Sequence, residues 1–439
     1  MSDNITVIKP LENPMHGSTR VPGDKSISHR AVLFSAMAEG TSRVSGVLDS
    51  ADVRSSIGAV RALGAQVSLE KQADGSLAGG ITGWGAAGPS QPAEPVDCGN
   101  SGTTVRLLMG ILAPWDIQVT LTGDSSLCKR PMRRITAPLM KMGARFLPEG
   151  CETLPITVHG GGLRPLTYDA PMASAQLKTA VLLAGMYASG TTTVNEPAPS
   201  RNHTELMLPE YGVATTAGAC TASVTGPAQP QAGEVLVPGD PSSAAFLACA
   251  AVLRPESSIQ IEDVSLNTAR IGFVRTLERM GAQVSVAHTG AAGKEPYGII
   301  EACHTPDLRG CEVPADKIAG IIDEIPVLAL VAAHAHGITV FRQVGELRVK
   351  ETDRLAAIMD GLAKLGVDTW CEGDDLYIEG QPGLQVPEGL EFDSLGDHRL
   401  AMTWSLVGLT GRVAVNIKDF EAVRVSYPGF LDDIERLAR

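Results

Sequence analysis

The sequence predicts an α/β fold made of two similar halves, each assembled from repeated helix-plus-strand units. Two observations carry this. Val21-Pro22-Gly23-Asp24-Lys25-Ser26 is matched about half a chain later by Val237-Pro238-Gly239-Asp240-Pro241-Ser242, and helical apolar stretches follow at 31–38 and 244–253. A second signal recurs along the chain: an amphipathic stretch, an apolar or aromatic residue, a glycine, then a β-like run. It stands at Leu63-Gly64, Met142-Gly143, Tyr211-Gly212, Met280-Gly281 and Leu365-Gly366. Glycine accepts the left-handed conformation that closes a helix before the chain enters a strand. Repetition of this kind favours duplicated units over unrelated domains, and about six units fit the length.

Residues 132–142, 270–280 and 352–365 carry apolar side chains at three- and four-residue spacing, which predicts amphipathic helices. One boundary is expected near 21–23. The other falls at 226–239, where Pro227, Pro230 and Pro238 stand among polar residues. Residues 1–21 and 238–439 then form one domain that holds both termini, and 22–237 form the second. This arrangement would put both Val-Pro-Gly-Asp segments at crossovers beside a cleft between globules, a common place for a ligand.

The composition excludes several functions. A net charge of −13 argues against a broad nucleic-acid surface, although a local basic cleft can still attract small anions. No apolar run approaches the ~20 residues that span a bilayer. Met1-Ser2-Asp3-Asn4 lacks the basic and apolar regions of a leader, so a cytoplasmic protein is expected. The eight cysteines form no C-x-x-C pair and are expected as reduced thiols. The nine histidines form no H-E-x-x-H or Cys/His cluster, which leaves a metal site with little support.

Polar and basic motifs stand at one predicted helix start after another. Gly23-Asp24-Lys25-Ser26-Ile27-Ser28-His29-Arg30 is the densest: backbone N–H groups with Lys25, Ser26 and Arg30 make an anion site. Cys98-Gly99-Asn100-Ser101-Gly102-Thr103-Thr104-Val105-Arg106 would let a ligand approach the backbone closely. In Lys129-Arg130-Pro131-Met132-Arg133-Arg134, solvated surface charge accounts for Arg133 and Arg134, whereas Arg130 is the ligand candidate. Ser174-Ala175-Gln176 could hydrogen-bond hydroxyls or phosphate, and Ser174 reads equally as a plain N-cap. Arg201, in Ser200-Arg201-Asn202-His203-Thr204, is a possible phosphate contact.

Two carboxylates, Asp323 and Glu324, stand in an apolar stretch where charge is costly unless paired. Asp323 is a candidate general acid or base, set against an ordinary helix-start acid. In Leu347-Arg348-Val349-Lys350-Glu351-Thr352-Asp353-Arg354-Leu355, Lys350 and Arg354 stand four apart and are expected on one helical face, with Glu351 beside them. Asp397-His398-Arg399 repeats the pattern ahead of another apolar helix.

Taken together, 23–30, 347–355 and 397–402 resemble the enolpyruvyl transferase family, in the branch that acts on shikimate 3-phosphate, over about 21–428. Ser174-Ala175-Gln176 and Ile322-Asp323-Glu324 resemble a bacterial subgroup with glyphosate-tolerant members. The resemblance implies two globules of three βαβαββ units each, of inside-out α/β barrel type, with the active site in the cleft between them. It implies transfer of the enolpyruvyl group of phosphoenolpyruvate to the 5-hydroxyl of shikimate 3-phosphate, on the route to chorismate and aromatic amino acids. No cofactor, metal, nucleic acid or membrane is implied, and a monomer is expected.

Carried over by position, Lys25 would touch both substrates. Ser26, Arg30, Ser174, Ala175, Gln176, Arg201, Asp323 and Lys350 would hold shikimate 3-phosphate. Asn100, Gly102, Arg130, Gln176, Arg354, His398 and Arg399 would surround phosphoenolpyruvate. Asp323, Glu351 and Lys25 would be catalytic, without a decision on which carboxylate takes which proton. The chain departs from many relatives in carrying Val425 where a lysine is common, so either Arg424 substitutes for that lysine or the contact is absent. It has Gly102 where tolerant relatives can have alanine, so glyphosate should compete with phosphoenolpyruvate.

The related transferase of UDP-N-acetylglucosamine would carry Lys-Asn in place of Lys25-Ser26, which leaves Cys128 a plain thiol. The RNA 3′-phosphate cyclase type is disfavoured by the acidic charge. A non-catalytic anion binder is disfavoured by the presence of both Asp323 and Glu351.

Overall fold

The computed structural model describes residues 4–439; Met1-Ser2-Asp3, the start of the segment read as leaderless, lie outside it. The chain divides into two compact units. One comprises residues 1–22, 239–290 and 296–439, and the other 23–238 with 291–295. Each has its own hydrophobic core.

Among the described residues the strands form six small sheets. One sheet shows the common plan: Val96–Asp97 runs parallel to Gln118–Thr122, which is antiparallel to Ile156–His159, which in turn pairs with Arg145–Leu147. With the helices Gly102–Leu112 and Arg133–Met142 between its strands, this unit reads βαβαββ along the chain. Three of the sheets take in a strand distant in sequence. Glu234–Leu236 lies parallel to Thr41–Val47, and His16–Arg20 lies parallel to Ser258–Ser265. The last sheet has three strands, with Ile5–Ile8 pairing antiparallel to Val415–Lys418. The chain is therefore a fold of six related α/β repeats.

Each unit contains three helices buried on nearly every side. In one they are Pro241–Leu253, Ile325–Ala333 and His398–Thr410; in the other, Lys25–Met37, Gly102–Leu112 and Ala175–Gly185. A helix that is apolar all round has no solvent face to present, and its charged residues gather toward the N-terminus. That is where the motifs stand. The second helix of each unit is amphipathic, as in Arg133–Met142, Gly272–Arg279 and Arg354–Lys364. The glycines that end the amphipathic stretches, Gly64, Gly143, Gly212, Gly281 and Gly366, all have positive φ, as their place before a strand predicted.

The Val-Pro-Gly-Asp repeats are structural equivalents. The Asp24 N–H donates to the Pro238 carbonyl at 2.8 Å, and the Asp240 N–H donates to the Pro22 carbonyl at 2.8 Å. Asp24 and Asp240 each cap the following helix. A Cβ on Gly23 would fall 1.9 Å from the Gly46 carbonyl oxygen, so only glycine fits there. Among the described residues all eight cysteines are free, and no helix is long and apolar enough to cross a membrane.

Candidate active site

In the unit spanning 23–238, Asp24 accepts from the Ile27 N–H at 2.8 Å, which makes Lys25 the first helical residue. The Lys25 ammonium lies 3.4 Å from Asp52. Arg30 is buried and donates to the Ser26 carbonyl at 2.9 Å, to Thr204 Oγ1 at 2.8 Å and to Thr179 Oγ1 at 2.9 Å. Burial, opposed by Glu205 and Asp24 and aided by Arg201, lowers its pKa to about 10. An anion bound beside Arg30 and Arg201 would stabilise both charges.

Ser174 caps the Ala175–Gly185 helix, its Oγ accepting from the Leu177 N–H at 3.3 Å. Both readings of this serine are compatible. A hydroxyl accepts and donates at once, so the cap leaves its proton for a ligand. The Ala175 and Gln176 N–H groups sit where no intrahelical carbonyl can reach them.

The glycine-rich turn forms a second basic cluster. Ser101 caps the Gly102–Leu112 helix. Asn100 Oδ1 accepts from Arg130 at 2.7 Å, and its amide nitrogen donates to Asp124 at 2.7 Å. Arg106, one turn beyond Gly102, is buried and donates to Gln176 Oε1 at 2.8 Å, and Gln176 Nε2 donates to Thr103 Oγ1 at 3.0 Å. Burial first, then the charges of Arg134 and Arg130, lower the Arg106 pKa to about 9. Three guanidinium groups that repel one another at a glycine-lined helix start are stabilised by a bound anion. A Cβ on Gly102 would fall 2.9 Å from Arg106 Nη1 and 3.5 Å from Arg130 Nη1.

In the unit that holds both termini, Arg354 is the hub. Its Nε donates to Asp397 at 2.7 Å, one terminal nitrogen to Asp323 at 3.2 Å and the other to Glu351 at 2.7 Å. Burial would lower its pKa, but Glu351, Asp397 and Asp323 outweigh burial and raise it above the ordinary value. Asp323 also lies 3.7 Å from Arg399 and 3.9 Å from Lys350, and the Asp323 carbonyl accepts from Arg399 at 3.2 Å. Glu324, buried at the start of the Ile325–Ala333 helix, accepts from the Ser242 hydroxyl and lies 3.8 Å from Arg399. His398 is buried at the head of its helix, next to the capping Asp397.

The predicted residues thus fall into two groups. Lys25, Ser26, Arg30, Asn100, Gly102, Arg130, Ser174, Ala175, Gln176 and Arg201 belong to one unit, and Asp323, Lys350, Glu351, Arg354, His398 and Arg399 to the other. Two expectations are corrected. Lys350 and Arg354 do not share a helical face: Lys350 follows the short turn Gly345–Val349, and the helix begins at Arg354 after the Asp353 cap. Tertiary folding, not helical spacing, brings both cations to Asp323. Arg134 is half-buried and adds to the field on Arg106, while only Arg133 is an exposed charge, paired with Glu152 at 2.9 Å. Arg424 is three-quarters exposed and bonded to Glu421 at 2.8 Å.

Sequence reading missed Arg106 and Asp397 as members of the site, although both stand inside the motifs that it quoted. Helical spacing from Gly102 would have found Arg106. Lys178 closes the motif 172–178 at an apolar helix start but was given no role, and Glu196 gave no local signal.

Solved structures share this fold. The enolpyruvyl transferase NikO from Streptomyces tendae, at 20% identity, superposes with a TM-score of 0.80 over 99% of this chain and 98% of that one. The repeat architecture is therefore that of the enolpyruvyl transferases. An EPSP synthase from Acinetobacter baumannii superposes with a TM-score of 0.88 at 39% identity, again over 99% and 98% of the two chains. The 3-phosphoshikimate 1-carboxyvinyltransferase of Bacillus pumilus is 43% identical over 427 residues, 97% of this chain and 98% of its own. That of Rhodospirillum rubrum is 43% identical over 425 residues, 95% of this chain and 94% of its own. Residues 11–434 match the description of EPSP synthase (3-phosphoshikimate 1-carboxyvinyltransferase), and the chain belongs to that family.

Proposed function

We propose that this chain transfers the enolpyruvyl group of phosphoenolpyruvate to the 5-hydroxyl of shikimate 3-phosphate, releasing phosphate, and that it acts as a monomer. The observation that carries the assignment of roles is the Arg354 hub. Two carboxylates suited to proton transfer, Asp323 and Glu351, are fixed by one buried guanidinium within a cationic surround.

The reaction needs such a pair. As the 5-hydroxyl oxygen attacks C2 of the enol, its proton passes to a base, while C3 takes a proton from an acid. The tetrahedral adduct then loses a proton from C3, the C2–O bond to phosphate breaks, and the double bond re-forms. Asp323 and Glu351 exchange these protons, and Lys25 stabilises the charge that moves onto phosphate. Approach of a phosphate dianion favours the protonated form of a carboxylate, so substrate binding itself prepares an acid.

Arg354, Arg399, Arg130, Asn100, Gly102 and His398 surround phosphoenolpyruvate, with Arg106 added to that set. Lys25, Ser26, Arg30, Ser174, Ala175, Gln176, Arg201, Asp323 and Lys350 hold shikimate 3-phosphate. Guanidinium groups suit this work because each binds carboxylate or phosphate through two parallel bonds. Holding a multiply charged anion requires a matching density of cations, and each group of residues is rich in them.

Phosphate release from phosphoenolpyruvate plus shikimate 3-phosphate, with UDP-N-acetylglucosamine as the control acceptor, tests this assignment. Turnover only with the second acceptor would overturn it. Sedimentation at the mass of one chain tests the monomer.

A further inference from the structure

We infer that Glu196 is a positioning residue for the phosphate of shikimate 3-phosphate: it ties together the two segments that hold that phosphate and touches no substrate itself. The inference rests on the reading of the site given above. Glu196 follows directly on the strand Gly190–Asn195, and its side chain is only 1% exposed. Three donors converge on it. The Ser174 N–H reaches Oε1 at 2.7 Å, the Ser200 hydroxyl reaches Oε2 at 2.8 Å, and the Lys178 ammonium reaches Oε2 at 2.8 Å.

Ser174 heads the Ser174-Ala175-Gln176 helix start, and Ser200 immediately precedes Arg201. One carboxylate therefore ties the backbone of Ser174 to the side chain of Ser200, in the two segments assigned to that phosphate. A carboxylate can do this because each oxygen accepts two bonds. An amide has one accepting oxygen and would turn its NH2 toward a donor.

A buried negative charge so near an anion subsite would repel the substrate and is costly unless paired. Lys178 offsets it together with Arg30, on which the second carboxylate, Glu205, also acts. The Lys178 ammonium, 5% exposed, also meets Glu205 at 2.8 Å. Glu205 adjoins Thr204, which with Thr179 receives the Arg30 guanidinium. The Lys178 pairings thus carry the same order through to Arg30.

The test compares Glu196→Gln and Glu196→Asp with the unaltered protein, measuring kcat, KM for each substrate and the thermal midpoint. For Glu196→Gln, KM for shikimate 3-phosphate should rise about tenfold, as loss of one charge-assisted bond would cause. KM for phosphoenolpyruvate and kcat should stay within about threefold. Glu196→Asp keeps the charge but shortens the reach, so it should fold and show the same split at smaller size. If both KM values rise together while kcat falls, or if neither moves in a folded variant, Glu196 is not a positioning residue for this phosphate. An unaltered protein inert with shikimate 3-phosphate would instead overturn the functional reading. Turnover in that protein with unchanged KM values in both variants would overturn this inference alone.

Discussion

Arg354 and Asp397 are joined through Nε and Oδ2 at 2.7 Å, with neither side chain more than 1% exposed. Asp397 also caps its own helix, accepting from the Arg399 N–H at 2.8 Å. One carboxylate therefore orients two of the arginines assigned to phosphoenolpyruvate, Arg354 and Arg399. It aims the terminal nitrogens of Arg354 at Asp323 and Glu351 rather than leaving the guanidinium free to turn. Arg354→Lys removes the fork, since an ammonium cannot reach three carboxylates in one plane. Its kcat/KM for phosphoenolpyruvate should fall about 100-fold, and Asp397→Ala should lower unfolding free energy by about 3 kcal/mol, as breaking a buried pair does. Steady-state kinetics and denaturant titration check both.

Asp323→Asn and Glu351→Gln preserve shape but abolish the carboxylate. Each should lose about 10²-fold or more in kcat while KM values stay within a few-fold. Run in D2O, the variant that has lost the C3 acid should also stop incorporating deuterium into phosphoenolpyruvate. Retention of full turnover in both variants would remove this pair from the chemistry.

Gly102 sets the space beside Arg106 and Arg130. Glyphosate should inhibit the unaltered protein in competition with phosphoenolpyruvate. In Gly102→Ala the added methyl would stand 2.9 Å from Arg106 Nη1, closer than real Cβ contacts come, so the guanidinium must shift. The inhibition constant for glyphosate should rise about tenfold or more, and KM for phosphoenolpyruvate by less, because the longer inhibitor has less slack in the pocket.

His29 is fully buried, with Nδ1 2.8 Å from Ser56 Oγ. Burial lowers its pKa from 6.5 to about 4; Lys25 and Arg30 act in the same sense, and Asp52 and Asp24 oppose them. Between these two values the unfolded chain binds a proton that the folded chain refuses, so stability falls as pH drops from about 6.5 to about 4. The full effect is about 3 kcal/mol. His334 is lowered to about 4 in the same way. Denaturant titrations across this range should show a shallower loss in His29→Asn than in the unaltered protein. Equal slopes would refute the buried neutral imidazole.

Much of the architecture was legible because it is written in local chemistry. Gly64, Gly143, Gly212, Gly281 and Gly366 mark helix ends by a backbone conformation that other residues adopt at a cost. The Val-Pro-Gly-Asp pair marks the crossovers, where Gly23 is required by the approach of Gly46. Most of the candidate site was legible for a related reason. The inner helices, buried on all sides, carry their charged residues within the first two turns, so Lys25, Ser174 and Asp397 stood out against the apolar runs that follow them.

By itself, then, the sequence determined the repeat, the helix ends and which residues head the inner helices. Only the tertiary structure decided who faces whom: that Lys350 reaches Asp323 from outside the helix, that Arg106 holds Gln176, and that Glu196 gathers Ser174, Ser200 and Lys178. Backbone preference is set by neighbours a few residues away. A buried charge is compatible with folding only beside its partners, and those partners can stand anywhere in the chain.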